Sequence, residues 1–288
     1  MIASSELIIN TDGSCFHLHL KPEQLADKVV MCGDPGRVDL IASFFESKEC
    51  EVSSREFHSV TGIYQGKRIT ALSHGIGPDN IDIVMNEIDA LKNIDFKTRE
   101  IKPEHHSLDI VRIGTCGGLQ PYVPCGSYVI SRKSVGFDGV LNWYAGRDKV
   151  SDLDFEQALV EAVEYPKKAA SPYVVSADEQ LCDRLASQGS FIDGITISAV
   201  GFYGPQGREI RLPIISPDIN KRIEAFSYQG QQITNYEMES APLAGFARLL
   251  GHRATTVCLV VANRHSGNSN AEYKGEIPEL IKLVLDRI

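Results

Sequence analysis

The chain has no apolar run approaching 18 residues, no C-x-x-C pair, no internal repeat and no low-complexity segment. The first absence argues against a membrane-spanning helix. Its seven cysteines (15, 32, 50, 116, 125, 182 and 258) are odd in number and widely scattered, which leaves neither a disulfide framework nor a zinc-ligand spacing. Several lie inside apolar runs such as "VVMC" and "TTVCLVV", where a free cysteine packs as a small hydrophobe. Positive charge is also scarce: 29 Lys plus Arg stand against 38 Asp plus Glu, a net charge of -9. That balance argues against nucleic acid or an anionic membrane as the main partner. The opening "MIASSELIINTDG" has no basic stretch followed by an apolar core, so a reducing, cytoplasmic setting is expected rather than secretion. An anion bound by so acidic a chain must be held locally, by a few placed arginines.

What is present reads as an ordinary globular protein, 43% hydrophobic and 23% charged over 288 residues. β-rich apolar runs recur ("KVVMC", "RITALSHGIG", "LDIVRIGT", "GSYVISRKSV", "YVVSA", "GITISAVGF", "TTVCLVVAN"). Between them lie stretches with helical spacing. Val38, Ile41 and Phe44 form one such stripe, and Ile81, Val84, Ile88 and Leu91 a second. A third runs through Leu243, Phe246, Ala247 and Leu250 and stops at Gly251; the last, "IPELIKLVLDRI", is opened by Pro278. Strands alternating with helices predict an α/β fold, one domain over residues 1–288 with a central mixed β-sheet flanked by helices. The polar stretch 97–107 reads as a surface loop.

Ligands in such folds sit where strand ends meet helix starts. In "VVMCGDPGRVDL" an apolar run ends at Cys32, and Gly33, Asp34, Pro35, Gly36 and Arg37 follow before a helical pattern resumes. Gly33 lets backbone N–H groups approach an anion, and Arg37 adds a planar fork matched to phosphate oxygens. In "DIVRIGTCGGLQP", Arg112 interrupts an apolar run, where an unpaired charge is costly. Arg112 is therefore either paired with a carboxylate or turned toward an anion at the strand's end. Thr115 supplies a hydroxyl there.

Gly33-Asp34-Pro35-Gly36-Arg37, Ser54-Arg55-Glu56-Phe57 and Arg112-Ile113-Gly114-Thr115 resemble the three phosphate-binding segments of the nucleoside phosphorylase family, with the uridine-cleaving branch nearest. The resemblance runs from "CFHLHL" near residue 16 to "VVANRH" near 265. It implies inorganic phosphate as co-substrate, held by Gly33, Arg37, Arg55, Arg112 and Thr115, with Arg55 reaching in from a neighbouring subunit. It also implies a homo-oligomer, at least a dimer, with shared active sites and no cofactor.

"TNYEMESAPLAGF" places Glu237, Met238 and Glu239 just before a helix. Residues i and i+2 point to different sides, so the two carboxylates are expected to do separate jobs. An ionised carboxylate can accept two hydrogen bonds from a vicinal diol. The resemblance gives that role on ribose to Glu239, lays Met238 against the sugar, and brings His17 to the ribose 5′-hydroxyl across a subunit interface. In "GFYGPQGREIR", Gln206 offers a donor and an acceptor on one amide, which complements an imide N–H beside a carbonyl. Arg208 can donate to a second carbonyl, and Phe202 can stack on a planar ring. The spacing F-Y-x-x-Q-x-R resembles a uracil pocket, and Arg264 stands where purine-cleaving relatives carry an acid that protonates the leaving base. The expected reaction is therefore reversible phosphorolysis of uridine, with deoxyuridine as a further candidate, in pyrimidine salvage. The alternatives are a purine nucleoside phosphorylase and a non-catalytic nucleoside-binding protein. No metal is expected, because neither His17/His19 nor His105/His106 has a carboxylate or cysteine at a spacing that completes a site.

Overall fold

The computed structural model describes residues 1–288. Its strands are β1 (Lys28–Cys32), β2 (Ser47–Ser54), β3 (Phe57–Tyr64), β4 (Lys67–Ser73), β5 (Ile94–Asp95), β6 (Glu100–Ile101), β7 (Asp109–Gly118), β8 (Tyr128–Gly136), β9 (Tyr173–Ser176), β10 (Ile192–Ser198), β11 (Ser227–Tyr228), β12 (Gln231–Gln232), β13 (Asn235–Glu237), β14 (Arg253–Asn263) and β15 (Asn268–Ser269). The helices are α1 (Pro35–Ala42), α2 (Pro78–Asn93), α3 (Leu153–Ala162), α4 (Glu179–Ala186), α5 (Ile219–Ala225), α6 (Ser240–Leu250) and α7 (Ile277–Arg287).

Eleven strands form one mixed sheet in the order β15-β14-β8-β10-β13-β7-β1-β4-β3-β2, with β9 added on β8. Strand β14 also pairs with β7, so β14, β8, β10, β13 and β7 close on themselves as a small barrel. The remaining strands extend from it as an open wing. Within the wing β1 runs parallel to both β4 and β7, and the register aligns Cys32 with Ser73 and Met31 with Arg112. Strand β14 is parallel to β7 in turn. Their C-terminal ends therefore open on one side of the molecule.

The four helices read from the sequence all form, and each turns its apolar stripe inward. Ile81, Val84, Ile88 and Leu91 of α2 pack with Leu243, Phe246 and Ala247 of α6 in one core. Val38 and Ile41 of α1 pack with Leu181 of α4 and Leu280, Ile281 and Val284 of α7 in a second, on the other face of the sheet. Burying an aliphatic or aromatic side chain of this kind contributes roughly 1.5–3 kcal/mol. Asp34 caps α1 by accepting the Gly36 N–H at 2.9 Å, with Pro35 at the first helical position. Gly251 ends α6 at φ 79°, as its position after the stripe predicts.

Two segments depart from the sequence reading. Within 97–107, Glu100 and Ile101 pair with Asp95 and Ile94 in a short hairpin, closed by Asp95 accepting the N–H groups of Lys97 and Thr98. The hairpin β2–β3 is also absent from the sequence reading. Strand β2, SKECEVSS, is a charged edge strand without a clean apolar alternation, a composition that guards sheet edges and hides them from pattern analysis.

Candidate active site

At the C-terminal ends of β1, β4 and β7 lies a cleft of about 710 Å³, lined among others by Gly33, Arg37, Arg112, Thr115, Phe202, Gln206, Arg208, Met238 and Glu239. Nine residues expected at the site from separate stretches of sequence thus meet in one place. A larger cavity of about 1250 Å³ contains none of them. A second, of about 830 Å³, adjoins the cleft through Arg208.

The anion end is built from glycine and arginine. A Cβ on Gly33 would stand 2.9 Å from the Gly75 carbonyl oxygen, so glycine lets the loop after β1 close against the loop after β4. Arg37 is steadied by donating to the Ile113 carbonyl at 3.1 Å. A Cβ on Gly114 would lie 2.6 Å from Arg112 Nη1, so that glycine makes room for the guanidinium.

Arg112 resolves the alternative left open by the sequence: it is paired. Nη1 lies 2.9 Å from Glu237 Oε2, Nη2 contacts Glu239 Oε2, and Nε donates to His74 Nε2 at 3.1 Å. Burial opposes its charge, but Glu239 and Glu237 outweigh it and raise its pKa above that of a free arginine. The expected division of labour between the two acids is corrected in one respect, because both reach the same guanidinium. A kinked strand-to-helix junction, rather than a continuous helix, separates them. Glu237 at the end of β13 accepts the N–H groups of Glu239 and Ser240 and the hydroxyls of Ser198 and Ser240, and so holds the start of α6. Glu239 accepts only the Gly77 N–H, at 2.8 Å, besides Arg112. Burial raises the Glu239 carboxyl above its ordinary 4.5 against the pull of Arg112.

At the other end of the cleft the side-chain amide oxygen of Gln206, Oε1, accepts from Arg208 Nη1 at 2.5 Å and from Arg264 Nη2 at 3.2 Å. The acceptor half of that amide is therefore occupied, a correction to the expectation that both halves face a ligand; its NH₂ is left as the free half. Arg208 also donates to the Phe202 carbonyl and lies over the Phe202 ring at 3.9 Å. Arg264 lies over the Tyr236 ring at 5.0 Å. No carboxylate pairs with either arginine. Burial lowers the pKa of Arg208, and burial followed by repulsion from Arg208 lowers that of Arg264 to about 10. Arg264 stands behind Gln206 rather than in the wall of the cleft.

Two further expected residues lie outside this cleft. Arg55 sits exposed at the β2–β3 turn in the left-handed region (φ 55°), while its neighbour Glu56 lines the cleft. His17 is held by Glu87, whose carboxylate binds the His17 ring at 2.6 Å and accepts the His17 and Leu18 N–H groups. The ground for expecting no metal also needs correction, because folding brings distant acids to these histidines. Glu87 meets His17, and Asp89 and His252 gather at His105. In that second group His252 Nδ1 accepts the Leu108 N–H at 3.2 Å, so the ring proton sits on Nε2, facing Asp89 at 3.2 Å.

The profile of the phosphorylase superfamily matches residues 27–285. The chain belongs to this family. A uridine phosphorylase of Thermococcus kodakarensis is 29% identical over 269 residues, covering 91% of this chain and 82% of that protein. A DeoD-type purine nucleoside phosphorylase of Tolumonas auensis is 26% identical over 275 residues, covering 94% and 97%. The solved structure of a Trypanosoma brucei nucleoside phosphorylase that shows uridine phosphorylase activity matches with a TM-score of 0.88 at 27% identity over 98% of both chains. The fold is that of the nucleoside phosphorylases, and the protein is an enzyme of the pentosyl-transferring class. No helix is long and apolar enough to cross a membrane.

The sequence reading passed over His74 and Tyr236, and gave Gly114 no role of its own. No local pattern marks a buried histidine after a strand, and the need for glycine at 114 becomes visible only once Arg112 is placed.

Proposed function

We propose that this enzyme catalyses the reversible phosphorolysis of uridine, giving uracil and α-ribose 1-phosphate, with deoxyuridine as a further candidate substrate. The observation that carries the reading is the pair Arg208 and Arg264, both on the side-chain oxygen of Gln206, half-buried and without a carboxylate partner. Two desolvated guanidinium groups lacking a counter-ion form a place where negative charge is welcome. Glycosidic cleavage produces such charge on the departing pyrimidine. The free NH₂ of Gln206 donates to a uracil carbonyl, and Arg208 stabilises the anion as it forms.

The opposite end of the cleft takes phosphate on the Gly33 loop, with Arg37 and Thr115 and with Arg112 behind them. Glu239 accepts the 2′- and 3′-hydroxyls of ribose through lone pairs not used by Gly77 and Arg112. Met238 packs on the sugar. Phosphate then attacks the anomeric carbon from the face opposite the base. The nucleophile brings its own charge, so the protein supplies positioning and charge stabilisation, and no step calls on a cofactor.

The base end also bears on the purine alternative. A leaving purine is helped by a proton donor, and the acids lining the cleft are Asp34, Glu56, Glu237 and Glu239, on the phosphate and sugar side. Asn263 is committed elsewhere, donating to the carbonyls of Gln120 and Val123. Arg55 and His17, outside their own chain's cleft, are assigned to the cleft of a second copy in a cytoplasmic homo-oligomer of at least two chains.

The test is uracil release from uridine followed by absorbance, with and without inorganic phosphate, with inosine in parallel. Phosphate-dependent cleavage of uridine alone is expected. Cleavage of inosine moves the assignment to purines and removes the roles given to Gln206 and Arg208. No cleavage of either by folded protein favours a binding role.

A further inference from the structure

His74 follows β4 in the loop "SHGIG" and is fully buried. Its backbone N–H donates to the Cys32 carbonyl at 2.9 Å, which ties the loop to the end of β1. The side chain lies behind the Gly33 loop, its Cε1 3.7 Å from where a Gly33 Cβ would stand. Nε2 accepts the Nε–H of Arg112 at 3.1 Å, and Nδ1 has no hydrogen-bond partner. A ring nitrogen that accepts from a guanidinium carries no proton. The imidazole is therefore neutral, with its hydrogen on Nδ1 and its bare nitrogen aimed at Arg112.

This contact completes the restraint on Arg112. The guanidinium is a rigid fork: Nη2 donates to Glu239, and Nη1 lies at ion-pair distance from Glu237 without a hydrogen bond of its own. With Nε free, the plane could turn about the Cδ–Nε bond and carry Glu239 with it. With Nε fixed, one orientation remains. We propose that His74 is a positioning residue for the reaction: a neutral acceptor that locks the plane of Arg112 and, through it, the Glu239 carboxylate. The assignment rests on the reading above that Glu239 takes the ribose hydroxyls.

The charged groups around the ring agree with a neutral state. Arg112 faces it from β7 and Arg37 from α1, while Glu237 and Glu239 lie beyond Arg112, with Glu237 contributed by β13 and Glu239 at the start of α6. Burial first, and Arg112 next, hold its pKa well below the ordinary 6.5. The ring thus keeps its acceptor nitrogen through the mildly acidic range in which a free histidine would take a proton.

Two variants and one spectroscopic measurement test this. His74→Leu removes the acceptor, and His74→Gln can return an oxygen at the reach of Nε2. The loss of a hydrogen bond to a charged partner predicts a rise of about tenfold to a hundredfold in KM for uridine in His74→Leu, with a smaller fall in kcat. His74→Gln is expected to remain within about threefold of wild type. An unchanged KM in His74→Leu overturns the proposal, as does equal damage in both variants, which would mean a packing role. If His74→Leu does not fold, ¹⁵N NMR of the wild-type ring decides without substrate. A protonated Nδ1 with a bare Nε2, unchanged on acidification below pH 6.5, supports the assignment, and a protonated Nε2 overturns it. The spectrum also separates this proposal from the functional reading: if wild-type protein cleaves no nucleoside, that reading fails while the ring state still reports on Arg112.

Discussion

Glu237 and Glu239 meet on one guanidinium, that of Arg112, and differ in what else they hold. Glu237 spends its lone pairs on the start of α6, whereas Glu239 keeps capacity facing the cleft. The pair therefore separates structure from chemistry within three residues. Glu237→Ala is expected to destabilise the fold by about 3–5 kcal/mol, because a buried network loses its acceptor and Arg112 part of its neutralisation. Glu239→Gln keeps the shape and removes a carboxylate whose charge burial already disfavours, so the unfolding free energy should stay within about 1 kcal/mol of wild type while kcat/KM for uridine falls about a hundredfold. Paired urea titrations and steady-state kinetics check both. Equal stability losses in the two variants would erase the division.

Arg208 and Arg264 repel each other across Gln206, so function and stability should part there as well. Arg208→Ala is expected to lower kcat about 10²–10³-fold, the usual consequence of losing a preorganised donor at a developing anion. Its melting temperature should hold or rise slightly, since a desolvated like charge has been removed. Near-normal kcat would withdraw the leaving-group role.

The architecture was readable in the sequence wherever a helix carries one apolar stripe, as in Ile81, Val84, Ile88 and Leu91, or a strand is buried on both faces, as in "TTVCLVV". The polar edge strand β2 was not, because solvent rather than a core selects its residues. At the site, the glycine and arginine loops stood out because charge beside a buried strand end is conspicuous. Pairing and orientation did not stand out. Nothing local shows that Glu237 and Glu239 would share Arg112, that the Gln206 oxygen would already be taken, or that His74 would supply the third contact, since each depends on residues brought together over long separations.

The placement of Arg55 and His17 outside their own cleft leads to a mixing experiment. Arg37→Ala and Arg55→Ala are each expected to raise KM for phosphate. If a site takes Arg37 from one chain and Arg55 from its partner, a mixed dimer carries one doubly defective site and one intact site. Random reassembly of the two variants should then restore about a quarter of wild-type activity. Activity that stays at the mean of the separate variants would mean that each chain uses its own Arg55.

Asp138 sets a pH dependence of stability that is separate from catalysis. It lines the cavity that adjoins the cleft through Arg208, and its oxygens accept from Tyr173 Oη at 2.9 Å and from the Val140 N–H at 2.8 Å. Burial pushes its carboxyl from 3.8 up to about 6. A carboxyl raised in the folded state favours folding while it is protonated, so its contribution is fully present below the unfolded value of 3.8 and is lost as pH rises through about 6. Above that range the folded chain carries a partly buried charge that the unfolded chain solvates freely. Asp138→Asn keeps the shape and an acceptor oxygen without the charge. It should stabilise the protein by about 1–3 kcal/mol at neutral pH and flatten the melting temperature between pH 4 and pH 7, the window those two values define. Thermal melts of both proteins across that range read the difference directly. Parallel curves would mean that Asp138 stays ionised in the fold, with Tyr173 and Val140 offsetting its burial.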